Sequence, residues 1–369
     1  MPELPEVETV ARDLRGLVLD AEIAGATSLW AGTLRTHAPE EIGAALAGRR
    51  IESVGRRGKQ LVIGLSGDAV MTIHLKMTGQ LFVVPRATPL DPYVRLVMAF
   101  RDGRDLRFRD IRKFGKIGLY AVDRETGEPI KELGGAAVFA GTGPEPLDDA
   151  FTLRLFRQRL RARRGRLKPL LLDQSFVAGI GNIYADEALW AARLHPLRSA
   201  ASLHPADERR LYFEFRRILA EAIVRRGSSV DDYTAPDGDG SMQEHLLVYQ
   251  RAGEPCGRCG RTIRRIVIGA RATHFCSWCQ RLSPADRKAA AVILREMTPR
   301  AKAGAGGAAG AGKPGHKGRR WTELDGAEAL GRTAAEREAT EATARSRAER
   351  TRRAAAQRRA RARASAGVD

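Results

Sequence analysis

EPCGRCGRTIRRIVIGARATHFCSWCQ, residues 254–280, carries every cysteine of the chain, spaced Cys256-x2-Cys259-x16-Cys276-x2-Cys279. Two CxxC knuckles on either side of a short hairpin match the tetrahedral four-cysteine site of a zinc ribbon. The intervening IRRIVIGARATHF reads as strand, turn at Gly269, strand. Four thiolates close the coordination shell, so one structural zinc is expected, folding the hairpin rather than activating water. Arg258, Arg261, Arg264, Arg265 and Arg271 ride on hairpin and knuckles, either presented to phosphates or forming a solvated basic face.

The rest of the chain sets this module in context. Its 369 residues allow about two or three domains, and 43% hydrophobic content supplies a core. A net charge of +19 argues for a polyanionic partner, nucleic acid before membrane surface, although ribosomal proteins share such an excess. The opening MPELPEVETV has neither a basic n-region nor an apolar h-region, and no apolar run approaches the ~18–20 residues of a spanning helix. The expected location is the cytoplasm, with no membrane partner. Thiols stay reduced there, which favours metal ligands over disulfides.

An α+β multidomain fold follows from the patterning. Val7, Val10, Ala11, Leu14, Leu17 and Val18 recur at helical spacing, with Pro5 and Glu6 suited to a first turn. Strand-like runs come next: 60–65, 69–75, 80–84, 95–100, 107–111 and 116–122, separated by Gly, Pro and Asp as in an antiparallel sandwich or barrel. Residues 1–130 form this domain. Residues 131–235 are mainly helical (151–160, 183–194, 207–226), and 236–283 hold the end of a Gly-rich stretch and the ribbon. Residues 284–369 are rich in Ala, Arg and Gly, with 20 basic and 10 acidic side chains, so this basic tail holds +10 of the charge. It lacks an apolar stripe and is expected to be disordered or transiently helical. There it either touches phosphates non-specifically or is a solvated extension.

The N-terminus carries potential chemistry. Removal of Met1, which a small second residue permits, makes Pro2 a free secondary amine with a pKa near 8, appreciably neutral at pH 7. Such an amine attacking a sugar C1′ gives an iminium ion directly, and Glu3 and Glu6 are close enough for general acid–base work. Taken locally, a Met-Pro start and an acidic first turn are equally the marks of an ordinary helix cap.

Taken together, five segments resemble the formamidopyrimidine-DNA glycosylase family in that family's order: PELPEVET (2–9), HLKMTGQL (74–81), RDIRKFG (109–115), LKPLLLDQ with GIGNIYADEALW (167–190), and the cysteine module. They span residues 1 to about 283. The resemblance implies an N-terminal β-sandwich with a leading helix, a helix–two-turn–helix domain and a zinc ribbon, with DNA in a basic cleft between the halves. Position by position, it makes Pro2 the Schiff-base nucleophile, Glu3 the catalytic acid/base, Glu6 an assisting carboxylate and Lys59 a phosphate-holding lysine. Met77, Arg112 and Phe114 match the residues that fill the hole left by an extruded base. His74, Lys168, Asn182 and Arg271 match further DNA-contacting positions, Asn182 at a helix N-terminus suited to phosphate.

The implied activity is that of a monomeric bifunctional glycosylase and AP lyase, excising oxidised purines from damaged double-stranded DNA and then cutting by β,δ-elimination. The alternatives are an endonuclease VIII-like enzyme for oxidised pyrimidines, which the PELPE start disfavours, and a paralogue that only binds DNA. Two departures bear on lesion preference. Thr234–Gln243 has Ser241-Met242 where a Gly-aromatic form is common, and Gln250 replaces glycine in the VYGR motif.

Overall fold

The computed structural model describes residues 1–123, 125–130, 137–229 and 240–291. All the elements described below lie in one compact unit, except Val84 and Pro85 at the end of one strand. Most of the expected tail, 292–369, lies outside the described residues, as does 230–239 of the Gly-rich stretch.

Helix α1 (Leu4–Val18) opens the chain and buries Val7, Val10, Ala11, Leu14 and Val18 as one stripe. The strands follow: β1 (Ile23–Ser28), β2 (Ile51–Arg57), β3 (Gln60–Leu65), β4 (Ala69–His74), β5 (Gly79–Pro85), β6 (Val94–Phe100), β7 (Arg104–Asp110), β8 (Lys116–Val122) and β9 (Pro129–Ile130), with a short helix α2 (Ile42–Leu46) between β1 and β2. They form two antiparallel sheets ordered β1-β6-β7-β5 and β2-β3-β4-β8-β9. Period-two alternation puts Leu61, Ile63 and Leu65 of β3 inside, where they share a core with Met71, Ile73, Met98, Phe100, Phe108 and the α1 stripe. The expected sandwich with its leading helix is present.

The helical part comprises α3 (Leu153–Arg161), α4 (Leu167–Leu172), α5 (Asn182–Ala191) and α6 (Pro205–Val224). Thr152 caps α3 by accepting from the Leu155 N–H (3.3 Å), and Pro205 sits in the first turn of α6, where its missing N–H costs nothing. Phe151, Phe156, Phe176, Tyr212 and Phe215 pack edge to face and tilted, with centroids 5.5–6.3 Å apart, which is the favoured aromatic arrangement. Helix α5 runs through this core and is buried from Ile183 to Trp190.

The ribbon is a hairpin of β10 (Arg264–Ile268) and β11 (Arg271–Phe275), turned by Gly269 (φ +53°) and Ala270 (φ +60°). Two successive left-handed residues are what a two-residue type I′ turn requires. One boundary needs correcting. The tail was expected to begin at residue 284, but α7 (Pro284–Ala289) follows, capped by Ser283, with Asp286 and Ala290 buried. The Ser283 N-cap with Pro284 behind it is an ordinary helix start that the surrounding Ala/Arg composition hides. Among the described residues no helix is long and apolar enough to cross a membrane.

His195 packs its ring against Phe275 (4.6 Å) and accepts from the Leu197 N–H through Nδ1 (3.1 Å). Burial, with Arg166 adding to it and Asp286 opposing, lowers its pKa to about 4. Between that value and the ordinary ~6.5 only the unfolded chain takes up this proton. The stabilisation is therefore complete above pH ~6.5 and lost as pH falls to about 4, up to about 3 kcal/mol. His195→Gln should flatten Tm against pH between 4 and 6.5. An unchanged slope would mean that His195 is protonated in the native state.

Candidate active site and nucleic-acid interface

The first turn of α1 is built against the N-terminus of α5. Glu3, in extended conformation before the helix, is almost fully buried, and its carboxylate accepts from the N–H groups of Gly181 (2.7 Å) and Ile183 (2.9 Å). The free N–H groups and positive dipole end of a helix make it a natural seat for a carboxylate. The approach is so close that a Cβ on Gly181 would lie 2.3 Å from Glu3 Cδ. Glu6 is equally saturated, accepting from Glu3 N (2.9 Å), Tyr184 Oη (2.6 Å) and Ser228 N (2.8 Å).

Burial raises the Glu3 pKa above the usual carboxylate value, Lys59 opposing and Glu6 adding to the rise. Burial likewise lowers that of Lys59, with Glu3 pulling the other way. Both groups are thereby moved toward the neutral forms in which an acid can donate and an amine accept. Lys59 is the second residue of the two-residue β2–β3 turn, after Gly58 (φ +58°). Glu145 pins that turn, accepting from Gly58 N (2.6 Å), Arg56 Nη1 (2.5 Å) and Arg57 Nη1 (2.9 Å). Pro2 is buried beside Glu3. While Met1 is attached, its nitrogen is an amide and cannot act as a nucleophile.

Two loops bring Met77, Arg112 and Phe114 together. Thr78 Oγ1 donates to the fully buried Asp110 (2.5 Å) and accepts from Arg112 N (3.1 Å), while Asp110 also accepts from Gly115 N (2.6 Å). The β4–β5 turn and the β7–β8 loop are thus tied at a single carboxylate. Phe114 is 49% exposed with the Arg112 guanidinium 5.0 Å over its ring, and Met77 is half-buried outside the core. Leaving a large ring in water is costly without a partner. His74 behaves as a neutral group: burial and the nearby Lys76, Lys59 and Arg35 lower its pKa to about 3, and its Nδ1 accepts from Lys76 N (3.1 Å).

On the other side, Asn182 is the first residue of α5, and it does not cap the helix; its Nδ2 donates to the Ala272 carbonyl (3.0 Å). Arg271 is exposed at the hairpin tip, the residue before Ala272. Lys168 departs from the expectation of a DNA contact. Its side chain is 0% exposed, and Nζ donates to Asp186 (2.6 Å) and the Ala272 carbonyl (2.9 Å). A buried ammonium survives only when paired, and Asp186 supplies that pair from within the protein. Two ribbon arginines are also engaged: Arg258 stacks on Trp190 (3.9 Å) and Arg261 on Trp278 (3.4 Å).

The four cysteine Sγ atoms lie within 4.8 Å of one another and none is in a disulfide. Tetrahedral Zn–S bonds of about 2.3 Å require S···S separations of about 3.8 Å, so the set fits zinc. Trp190 Nε1 donates to Cys256 Sγ (3.4 Å), an interaction that favours the thiolate.

Family models match the chain in three consecutive stretches: the formamidopyrimidine-DNA glycosylase N-terminal domain over residues 1–117, its H2TH domain over 142–234, and the zinc finger found in FPG and IleRS over 253–282. The chain belongs to the formamidopyrimidine-DNA glycosylase family. It is 47% identical to the formamidopyrimidine-DNA glycosylase of Chloroflexus aurantiacus, an alignment covering 76% of this chain and 98% of that one. Against that of Herpetosiphon aurantiacus it is 46% identical, over 76% and 100%. Among solved structures it is similar to a Lactococcus lactis FPG mutant bound to Fapy-dG DNA (TM-score 0.70, 36% identity, 76% and 100% covered). A MutM complex with carbocyclic 8-oxo-G DNA matches with TM-score 0.69 at 36% identity, with the same coverage. The cysteine set is thus the zinc site of a formamidopyrimidine-DNA glycosylase.

Two departures from the family's usual sequence have physical readings. Gln250 has φ +58°, the left-handed conformation that a glycine takes without strain. Met242 is buried in the helical core, its N–H bonded to the Gly227 carbonyl (3.0 Å). Residues 234–239 of the same loop lie outside the described residues. Thr78, Asp110, Glu145, Tyr184 and Asp186 were missed from sequence: each holds a candidate residue in place rather than resembling one.

Proposed function

We propose that this chain is a bifunctional DNA glycosylase and AP lyase acting as a monomer on oxidised purines in damaged duplex DNA, in the cytoplasm. The observation that carries the reading is the Glu3 carboxylate seated on the α5 N-terminus beside Pro2 and Lys59. The relatives crystallised with Fapy-dG and 8-oxo-G DNA support the lesion class.

Once Met1 is removed, the Pro2 nitrogen attacks C1′, the N-glycosidic bond breaks and the base leaves with a proton. Glu3, able to hold a proton, assists base departure and opening of the sugar. The resulting iminium ion acidifies C2′–H. Loss of that proton expels the 3′-phosphate, and a second elimination expels the 5′-phosphate, leaving a one-nucleotide gap with phosphates at both ends. Lys59, His74, Asn182 and Arg271 hold the backbone. Met77, Arg112 and Phe114 occupy the vacated stack, with Arg112 able to pair with the orphaned base. Zinc supplies no step; its thiolates hold the hairpin that carries Arg271.

Borohydride trapping on duplexes bearing 8-oxoguanine opposite cytosine, or an oxidised pyrimidine, tests this with untagged protein. The expected result is a covalent adduct on the 8-oxoguanine duplex that disappears in Pro2→Gly. An adduct with the pyrimidine lesion alone would make it an endonuclease VIII-like enzyme. Tight binding without any adduct, with Met1 shown by mass to be absent, would make it a DNA-binding paralogue.

A further inference from the structure

Asp186 is a buried acid in the middle of α5 to which the chemistry above gives no task. Its two oxygens face two different elements. Oδ1 takes the Lys168 ammonium from α4 (2.6 Å), while Oδ2 takes the His274 backbone N–H (2.8 Å) and lies 3.2 Å from His274 Nδ1. Lys168 in turn grips the Ala272 carbonyl (2.9 Å), which Asn182 also holds (3.0 Å). The carbonyl at 272 and the N–H at 274 are the alternate polar groups that the free edge of β11 would offer a third strand. Here the side chains of Lys168, Asn182 and Asp186 take that strand's place.

The edge so held is one residue from Arg271, which lies within electrostatic reach of both Lys59 and Lys168. A two-stranded ribbon on its own is marginally stable and free to twist. Side-chain ligands on its edge fix its depth and angle over α5, and with them the position of the guanidinium.

We propose that Lys168 and Asp186 are positioning residues that dock the zinc hairpin on α5 and thereby set Arg271 against the DNA phosphate. Lys168 itself does not meet DNA. This rests on the reading of Arg271 as a phosphate contact, and the experiment separates the two.

Affinity of the zinc-loaded full chain for a duplex containing a tetrahydrofuran abasic analogue is measured against salt for wild type, Arg271→Ala, Lys168→Met, Asp186→Asn and both double variants with Arg271→Ala. Arg271→Ala should flatten the slope of log K against log salt by about 0.9, one lost phosphate contact. Lys168→Met and Asp186→Asn should each flatten it by a similar amount, and neither double variant should be flatter than Arg271→Ala alone. Losses that add to about 1.8 in the Lys168→Met double variant would make Lys168 a phosphate ligand in its own right and overturn the proposal. A wild-type slope for Lys168→Met and Asp186→Asn would overturn it too. A wild-type slope for Arg271→Ala overturns the underlying reading of Arg271 first, and the proposal with it. Zinc content reports whether each ribbon is folded. Should a lone buried charge unfold a single variant, Lys168→Met/Asp186→Leu removes both charges together and carries the same expectation.

Discussion

Gly181→Ala is expected to fold and keep its zinc yet lose base excision by about 10²–10⁴-fold, the value of a positioned general acid–base group. The added Cβ would stand 2.3 Å from Glu3 Cδ and 2.4 Å from Oε1, distances no real contact tolerates. The backbone cannot retreat, because Gly181 N and Ile183 N are the groups that hold the carboxylate and Leu4 N is bonded to the Gly179 carbonyl (3.0 Å). Glu3 must therefore swing away, giving up its charge-assisted bonds and leaving the α5 N-terminus uncapped. The stability cost is a few kcal/mol, about 1.5–3 for each charge-assisted bond lost. Single-turnover excision on an 8-oxoguanine duplex, run beside Glu3→Gln and a thermal melt, separates activity from stability. Near wild-type excision would show that Glu3 does not act from this seat.

Stripping the metal should have the largest effect on binding. The ribbon buries few apolar side chains, chiefly Ile266, Ile268 and Phe275 in one cluster and Ile263 in another. So small a core cannot offset the conformational entropy of ordering the module, and in a structural four-cysteine site the metal supplies the missing folding free energy. Chelation should unfold the ribbon, release Arg271 and lower affinity for damaged duplex at least about tenfold, the worth of one charge-assisted hydrogen bond. Far-UV circular dichroism from the sandwich and the helical domain should persist. Unchanged affinity in demonstrably zinc-free protein would remove the ribbon from the interface.

Much of this was legible in the residues. The cysteine spacing located the ribbon, and alternation placed β3 at Gln60–Leu65 and β8 at Lys116–Val122, the bounds observed. Strand β1, IAGATS, escaped because small residues give no alternation, and α4 because Pro169 interrupts a short apolar run. Glu3 and Glu6 are weak signals locally and gained force only alongside the other motifs. The supporting acids were hidden for a different reason. Asp186 and Glu187 look like a wet helix face, yet both are buried, Glu187 accepting from the N–H groups of Leu247, Val248 and Tyr249 (2.8–2.9 Å). The clue was available in α5 itself: Ile183, Tyr184, Ala185, Ala188, Leu189 and Trp190 surround the helix, leaving no face for solvated carboxylates.

The seat of Glu3 also sets an order of events during synthesis. Pro2 and Glu3 are made well before the helix that seats the Glu3 carboxylate. That carboxylate reaches its seat only after residues 181 and 183 have been made and have turned into a helix. Glu6 waits longer still, for the N–H of Ser228. On the proposed roles of Pro2 and Glu3, a nascent chain therefore lacks the seated acid until the later-made half has folded back onto the first.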